Sequence, residues 1–491
     1  MNSIPVNWPK HRILVIILAS VWIFGWSANG VIASPADHGW LAFGDLRGFL
    51  EPCGCDPATD LGGLPRILTS VARERLTTPH LIVLNLGNST DLNHPNKIKD
   101  RFIWEGLARI KPTASLFNIS EMEWMESVQR PDRVDESMVS SQKFVLSNAR
   151  KSHSYSWLKE MRDADNGVVL GYTFSPKTSR LSRRVDLDLL NQWRKILSAT
   201  HQEKNKILLF SGPDEDLILI KEAKIFDVII SSHTAPLGTV PGVSDKENDT
   251  LLERKVDSKG STKGSGADVW MVPLAGQGLL RGGMLLNREA ASIAKLFQPS
   301  DSKNQGSTTL GDTGIQAALV PPRRISWLSS DVGINAEAKV FYDAYMNETR
   351  KAFVEESSRR LKDLSSSPFA GSDSCIGCHP KASVVFKSSK HARALETLIS
   401  KNKEQDPECV LCHTVGAQLQ GGFVSAKKSP HLAGVQCENC HGARKAHVQN
   451  PSLKGQTQAS IENVCLQCHN SQHSPKFDRQ AYWLQISHGR E

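Results

Sequence analysis

Four pentapeptides near the end of the chain share one pattern: Cys375-Ile-Gly-Cys378-His379, Cys409-Val-Leu-Cys412-His413, Cys437-Glu-Asn-Cys440-His441 and Cys465-Leu-Gln-Cys468-His469. Cys-x-x-Cys-His is the covalent attachment site of a c-type haem. Two thiols three positions apart can each form a thioether with one arm of the porphyrin. The histidine that follows is then held under the ring, with a nitrogen on the iron as proximal ligand. The four motifs use eight of the ten cysteines, which a chance dithiol does not explain. Zinc sites built from Cys-x-x-Cys pairs are the competing chemistry, but they do not require a histidine after every second cysteine. The pattern therefore predicts four haems c. Cys375, Cys378, Cys409, Cys412, Cys437, Cys440, Cys465 and Cys468 would form the thioethers, and His379, His413, His441 and His469 would be the proximal ligands.

Residues 371–491 contain nine histidines. Four sit in the pentapeptides, which leaves His391, His431, His447, His473 and His488 for the distal faces of four irons. A distal imidazole gives a six-coordinate, low-spin iron suited to fast electron transfer. An empty distal face leaves a five-coordinate iron open to a small molecule. The segment is too short to cover four porphyrins with a protein core. The haems are expected to supply that core, as disulfides or metals do in other small domains. The segment carries 14 Lys and Arg against 9 Asp and Glu, a formal +5 that the haem propionates would turn towards neutral or acidic.

Several stretches carry a family resemblance. Ser389-Lys-His391-Ala, Cys409-Val-Leu-Cys-His413-Thr-Val-Gly416, Gly421-Gly-Phe423 and Gly434-Val-Gln-Cys437-Glu-Asn-Cys-His441-Gly442 follow one another in the chain, and His473-Ser-Pro-Lys-Phe477-Asp-Arg-Gln-Ala-Tyr-Trp483 ends it. In order and spacing they resemble the cytochrome c-554 family of tetrahaem electron carriers, over essentially all of 371–491. The resemblance implies closely packed, mostly bis-histidine haems, with one open distal face in at least one member. By position, His391 and His447 are the first distal candidates, then His473 and His488, with His431 last. Spacing does not say which iron each serves.

The other end of the chain points to export. Lys10, His11 and Arg12 precede an apolar run over residues 13–26, and Val31-Ile-Ala33 offers a small-residue exit before Ser34. That is the order of a secretory signal peptide. The run is shorter than the roughly 20 apolar residues of a spanning helix. Residues 1–33 are thus expected to direct the chain to the periplasm, cleaved or kept as an uncleaved anchor, and only the anchor would place it on a membrane. The formal charge of +8 over 491 residues is modest and spread out. No basic face interleaved with aromatics suggests nucleic acid as a partner.

A chain of this length exceeds the roughly 250–300 residues at which single cores stop growing. Short apolar runs at 40–43, 81–86, 114–119, 144–147, 168–172, 207–210, 227–230, 269–272 and 283–286 read as strands covered on both faces. Helical stretches at 65–76 and 184–199 lie between them. The fold class expected is multidomain: an α/β layered sandwich over 39–297, then a small, mostly α-helical multihaem module over 371–491. Residues 298–370 would supply a linker and a connecting helix that begins at Asn335 as N-cap, runs towards Leu361 and buries Val340, Phe341, Tyr345 and Phe353 against one domain.

The front region resembles the metallophosphoesterase half of the 5'-nucleotidase superfamily. Phe43-Gly-Asp45-Leu-Arg47-Gly48 stands where that family has Asp-x-His-Gly, and Leu61-Gly-Gly-Leu-Pro-Arg66 at its Gly-Gly-Leu-x-Arg turn. Leu84-Asn-Leu-Gly87-Asn88 stands at its Gly-Asp step, Phe117-Asn-Ile-Ser120-Glu121 at Gly-Asn-His-Glu, Leu209-Phe-Ser-Gly212 at Ser-His, and Asp227-Val-Ile-Ile-Ser-Ser-His233-Thr-Ala235 at Gly-His-x-His. Two-metal hydrolysis needs a pair of cations clamped by carboxylates and imidazoles. Measured against that family's ligands, Arg47, Asn88, Ser120, Gly212 and Ala235 stand at ligand or catalytic positions. Asp45 and His233 survive, with Asn118 as a further donor. A guanidinium in the cradle puts fixed positive charge where a dication would sit. The remaining cysteines, in Glu51-Pro-Cys53-Gly-Cys55, are either small loop residues or a thiol metal or redox site.

Electron transfer by an exported tetrahaem cytochrome is the expected function, with the front region serving docking or sensing. Partners would be other exported redox proteins or quinol-linked donors and acceptors. The rival function is a multihaem redox enzyme acting on a small nitrogen compound at a five-coordinate haem. A metal-dependent phosphoesterase comes third.

Overall fold

Trp40, Leu41, Ala42 and Phe43 are all buried, because their strand is covered on both faces. In the computed structural model, which describes residues 38–51, 60–91, 96–127, 141–150, 157–164, 167–232, 268–272, 277–283, 324–360, 367–453, 461–469, 474 and 476–488, this strand is β1, His38–Phe43. The N-terminal segment, Cys53, Cys55, His233, Ala235 and His473 lie outside the described residues. Parallel to β1 run β2 (His80–Asn85), β3 (Ala114–Leu116) and β4 (Phe144–Val145). On its other side β10 (Gly278–Gly283) and β11 (Arg324–Trp327) add antiparallel strands, which completes a six-stranded sheet. A second sheet holds β5 (Met161–Ala164), β6 (Gly167–Thr173), β7 (Asn205–Ser211), β8 (Val228–Ser231) and β9 (Asp268–Met271), parallel except at β5.

Side-chain alternation sets the layers. Trp40, Ala42, Ile82 and Leu84 share a buried cluster with Val169, Ile207, Leu209 and Ile230 of the second sheet. Leu41, Phe43 and Val83 point the other way, into a cluster built by helices α1 (Leu64–Thr77) and α2 (Lys97–Ile110). The outer face of the second sheet is covered by α4 (Leu187–Thr200) and α5 (Asp214–Glu222), while the short α3 (Ile119–Ser127) follows β3. The result is the α/β layered sandwich that the apolar runs predict. Each large side chain so buried is worth roughly 1.5–3 kcal/mol relative to exposure.

Several elements differ from the sequence expectation. Of the strand expected at 283–286 only Gly283 is among the described residues, at the end of β10, whose buried Leu279 and Leu280 lie against β1 with Ala42 opposite Leu280. Strands β5 and β11 escape detection because Met161-Arg-Asp-Ala164 and Arg324-Ile-Ser-Trp327 are short edge strands rich in polar residues. Helix α2 has no counterpart in the sequence reading; its N-cap is Asn96, whose Oδ1 accepts from the amides of Ile98 and Lys99, both at 3.1 Å.

The connecting helix is α6, Ala336–Arg360, capped by Asn335, whose Oδ1 accepts from the Ala338 amide at 2.8 Å. Its Phe341, Tyr345 and Met346 join the core under α1 and α2. Phe353 joins another, with Phe369, Leu395, Val410 and Phe423. The helix therefore packs against both cores rather than one. Val340, expected to be buried, is 71% exposed, since it sits about 100° around the helix from Phe341.

The C-terminal region is helical, as expected. It contains α7 (Pro380–Ser388), α8 (Ala394–Ile399), α9 (Pro407–His413), α10 (Cys437–His441), α11 (Lys445–Gln449), α12 (Ile461–Leu466) and α13 (Arg479–Ile486). Among the described residues no helix is long and apolar enough to cross a membrane.

Candidate functional site

Histidines far apart in sequence meet in pairs in the helical region. The ring centres of His379 and His447 lie 6.4 Å apart, those of His391 and His469 6.0 Å, and those of His441 and His488 5.8 Å. A metal–imidazole bond of about 2 Å, with the ring centre roughly 1 Å farther back, puts two rings that share a metal about 6 Å apart. Each pair joins one pentapeptide histidine to one outside the pentapeptides, which suits a proximal and a distal ligand on one iron. Among the described residues no ring pairs with His413 at this spacing. His431, on the turn Pro430–Leu432, is exposed.

Neighbouring carbonyls fix the rings. Nδ1 of His413 donates to the Ala394 carbonyl at 2.7 Å, and Nδ1 of His447 donates to that of Leu453 at 2.9 Å. A carbonyl can only accept, so in both rings the proton is on Nδ1 and Nε2 keeps its lone pair for a metal. Phe477 stacks on His469 at 4.4 Å. Burial lowers the pKa of His391, His441 and His469, which favours the neutral, ligating form.

The pentapeptides abut in pairs. The Cys375 thiol lies beside that of Cys437, and the Cys412 thiol beside that of Cys468, so the first motif meets the third and the second meets the fourth. Glu438, a variable position of the third motif, is buried and accepts from the amides of Ala370 (3.0 Å), Gly371 (2.8 Å) and Arg444 (2.7 Å). That clamp ties the third motif to the entry of the first. Sequence reasoning missed it, because nothing marks one residue inside Cys-x-x-Cys as structural.

The region has a small core of its own, but only over its first half. From His441 onward none of the described residues is buried, and Leu453, Leu466, Tyr482, Trp483 and Leu484 stand exposed. A helical segment whose described residues form no buried core and leave these apolar side chains exposed suits a large flat apolar group inserted between its helices. The ring pairs, the thiols and the missing core all fit haem.

The front region grips the second motif. Lys403 donates to Glu51 and, at 2.8 Å, to Tyr342 Oη, and it lies 3.4 Å from Asp406. Tyr342 also donates to Glu51. Asp406 is the N-cap of α9, accepting from the Glu408 amide at 3.0 Å, and Glu408 pairs with Lys99 of α2 at 2.7 Å. Burial lifts the Glu51 pKa while Lys403 and Tyr342 hold it down. Burial works against the Lys403 charge, but Glu51 keeps its pKa above the ordinary value. No local pattern shows this knot, whose members come from four distant parts of the chain.

The cradle at the strand ends is closed on itself. Asp45 is fully buried; its Oδ1 accepts from Asn88 Nδ2 at 2.7 Å and lies 3.9 Å from Arg47 Nε. Asp45, Arg47 and Asn88 all have left-handed backbone, with φ of 50°, 47° and 54°. Such conformations are costly for these residues and persist only when over-determined. Here the Asp45 amide donates to the Gly87 carbonyl and the Arg47 amide to that of Asn88. Asn118 donates to Leu86 O at 3.0 Å and to Ser232 Oγ at 3.2 Å. A Cβ on Gly212 would come within 2.9 Å of the Tyr172 ring, so no imidazole fits there without displacing it. Among the described residues no group of three His, Cys, Asp or Glu could hold a metal ion.

Residues 374–442 match the family described as cytochrome c554 and c-prime. That span holds the first three pentapeptides; the fourth lies beyond it. A curated relative, cytochrome c-554 of Nitrosomonas europaea, is 34% identical over 90 residues, covering 15% of this chain and 38% of that protein. The C-terminal region is thus similar to a haem c protein of that family. Solved structures similar to the front region include a 5'-nucleotidase precursor from Thermus thermophilus (TM-score 0.41, 13% identity, 63% of this chain and 58% of that one). Another is the NAD nucleotidase of Haemophilus influenzae (TM-score 0.37, 15% identity, 50% and 47%). Scores at this level say nothing of activity, and the layered fold stands on its own strand order.

Proposed function

We propose that the chain is an exported tetrahaem c-type cytochrome that transfers electrons, with three bis-histidine irons and one five-coordinate iron. The observation that carries this reading is the set of three imidazole pairs about 6 Å apart, each containing one pentapeptide histidine. Bound haem would supply a one-electron couple. The protein's part is to hold each group and keep the groups close. His379 and His447 would hold one, His441 and His488 another, His391 and His469 a third, and His413, which has no partner ring among the described residues, the fourth. The abutting pairs of motifs would bring the groups close enough for electrons to pass between them. Pyridine haemochrome assay should give four haems per chain. The spectrum should show one high-spin iron in four, and only that fraction should respond to carbon monoxide or nitric oxide. Fewer than four haems, or four low-spin irons, would overturn the assignment, and loss of low-spin character in His473→Gly would place that histidine on the fourth iron.

That no described imidazole faces His413 also supports a second reading, a redox enzyme acting there on a small nitrogen compound. Turnover of hydroxylamine or nitric oxide by the purified protein would favour it, and binding without turnover would favour the carrier.

The front region has a docking or sensing role in this reading, since Arg47 and Asn88 occupy the cradle with Asp45. Full-length protein supplied with manganese, zinc or cobalt should not hydrolyse nucleotides or generic phosphoesters. Turnover that disappears in Asp45→Ala would restore the hydrolase reading.

A further inference from the structure

The helix carrying the second haem motif is the part of the C-terminal region that the front region holds most tightly. Lys403 sits where three segments meet: Glu51 at the end of the first strand's loop, Tyr342 on the connecting helix, and Asp406 at the cap of α9. Its side chain is 20% exposed, and those of its partners Glu51 and Asp406 are 21% and 8% exposed, so little water screens these charges. The Cys409 thiol, which opens the second pentapeptide, lies within electrostatic reach of Asp406, Lys403 and Glu51. A second tie, Lys99 to Glu408, holds the same helix one residue before that cysteine. None of these contacts involves the other three motifs.

We propose that Lys403 is a positioning residue for the haem of Cys409, Cys412 and His413: locked between Glu51, Tyr342 and Asp406, it fixes helix α9 against the front region and sets the local charge that this one iron experiences. The front region is then part of the wall of the second haem site and tunes a single redox centre. The inference rests on the proposed haem at this motif and deepens it.

Charge changes of opposite sign test it. A positive charge near an iron disfavours its ferric form, so Lys403→Met should lower the midpoint potential of the high-spin haem at pH 8. Glu51→Gln should raise it. Each shift should be roughly a tenfold change in the reduced-to-oxidised ratio, 59 mV for one electron. The double variant should return close to the parent value, and Lys403→Arg, which keeps the charge, should stay near it. The three low-spin haems should not move. Parallel shifts in both single variants, equal shifts in all four haems, or no shift would overturn the proposal. Should Lys403→Met fail to fold, Glu51→Gln decides alone by a rise or its absence. A preparation with no haem at Cys409 and Cys412 would instead overturn the underlying haem assignment, which the haem count reads separately.

Discussion

Replacing His447 with glycine is expected to open the iron held by Cys375, Cys378 and His379, and to raise the high-spin share of the four irons from about one quarter to about one half. His447 stands on α11 with its ring centre 6.4 Å from that of His379. The Leu453 carbonyl takes the proton of its Nδ1, which leaves Nε2 turned to ligation. Removing the ring would take away one candidate iron ligand but leave Cys375, Cys378 and His379, so the haem should remain attached. The opened face should bind carbon monoxide, and added imidazole should restore the low-spin spectrum. His391→Gly and His488→Gly should behave alike at the irons of His469 and His441. His431→Gly is the control: its side chain is exposed on a turn, and the spectrum should not change. A His447→Gly protein that stays fully low-spin would dissolve the pairing.

How much of this could be read from the sequence depends on how local each signal is. The four Cys-x-x-Cys-His pentapeptides are self-contained, so their thiols and histidines stand out at once. The histidines that pair with them are not local. His391 meets His469, and His379 meets His447, across 78 and 68 positions respectively, and no spacing rule pairs them. The buried strands announced themselves because both faces are covered, which makes their apolar runs continuous. The edge strands β5 and β11, half polar, did not. Asn335 marked the start of the long helix because capping is a local hydrogen bond, whereas the side chains that helix buries against each core depended on tertiary partners. The Glu51–Tyr342–Lys403–Asp406 knot lies wholly beyond sequence reading, since each member alone looks like an ordinary surface residue. Asp45, Arg47 and Asn88 could be picked out in the sequence one by one, but the Asp45–Asn88 hydrogen bond that joins two of them could not.

Protein made without haem attachment should lose the structure of everything beyond Cys437 while the sandwich persists. The sandwich has three large buried clusters that owe nothing to the haem motifs. The helical region has one small cluster, reaching only to Leu432 and Ala433. Beyond it the chain would order several tens of residues at about 1–2 kcal/mol each in backbone entropy. No buried side chain among the described residues from His441 onward offsets that cost. Leu466 is 57% exposed and Leu484 79%, so α12 and α13 gain little from one another. Four porphyrin faces, thioether staples and axial bonds would supply what is missing. Limited proteolysis of the unattached chain should therefore cut throughout 441–488 while a fragment containing the sandwich and the long helix survives. Trp483 should then be quenched by added acrylamide as freely as a tryptophan in an unfolded peptide. In the haem-loaded chain both the cuts and the quenching should be suppressed. If the unattached chain instead resisted cleavage beyond residue 441, the helices there would have a protein core after all, and haem would be a passenger in this region rather than its interior.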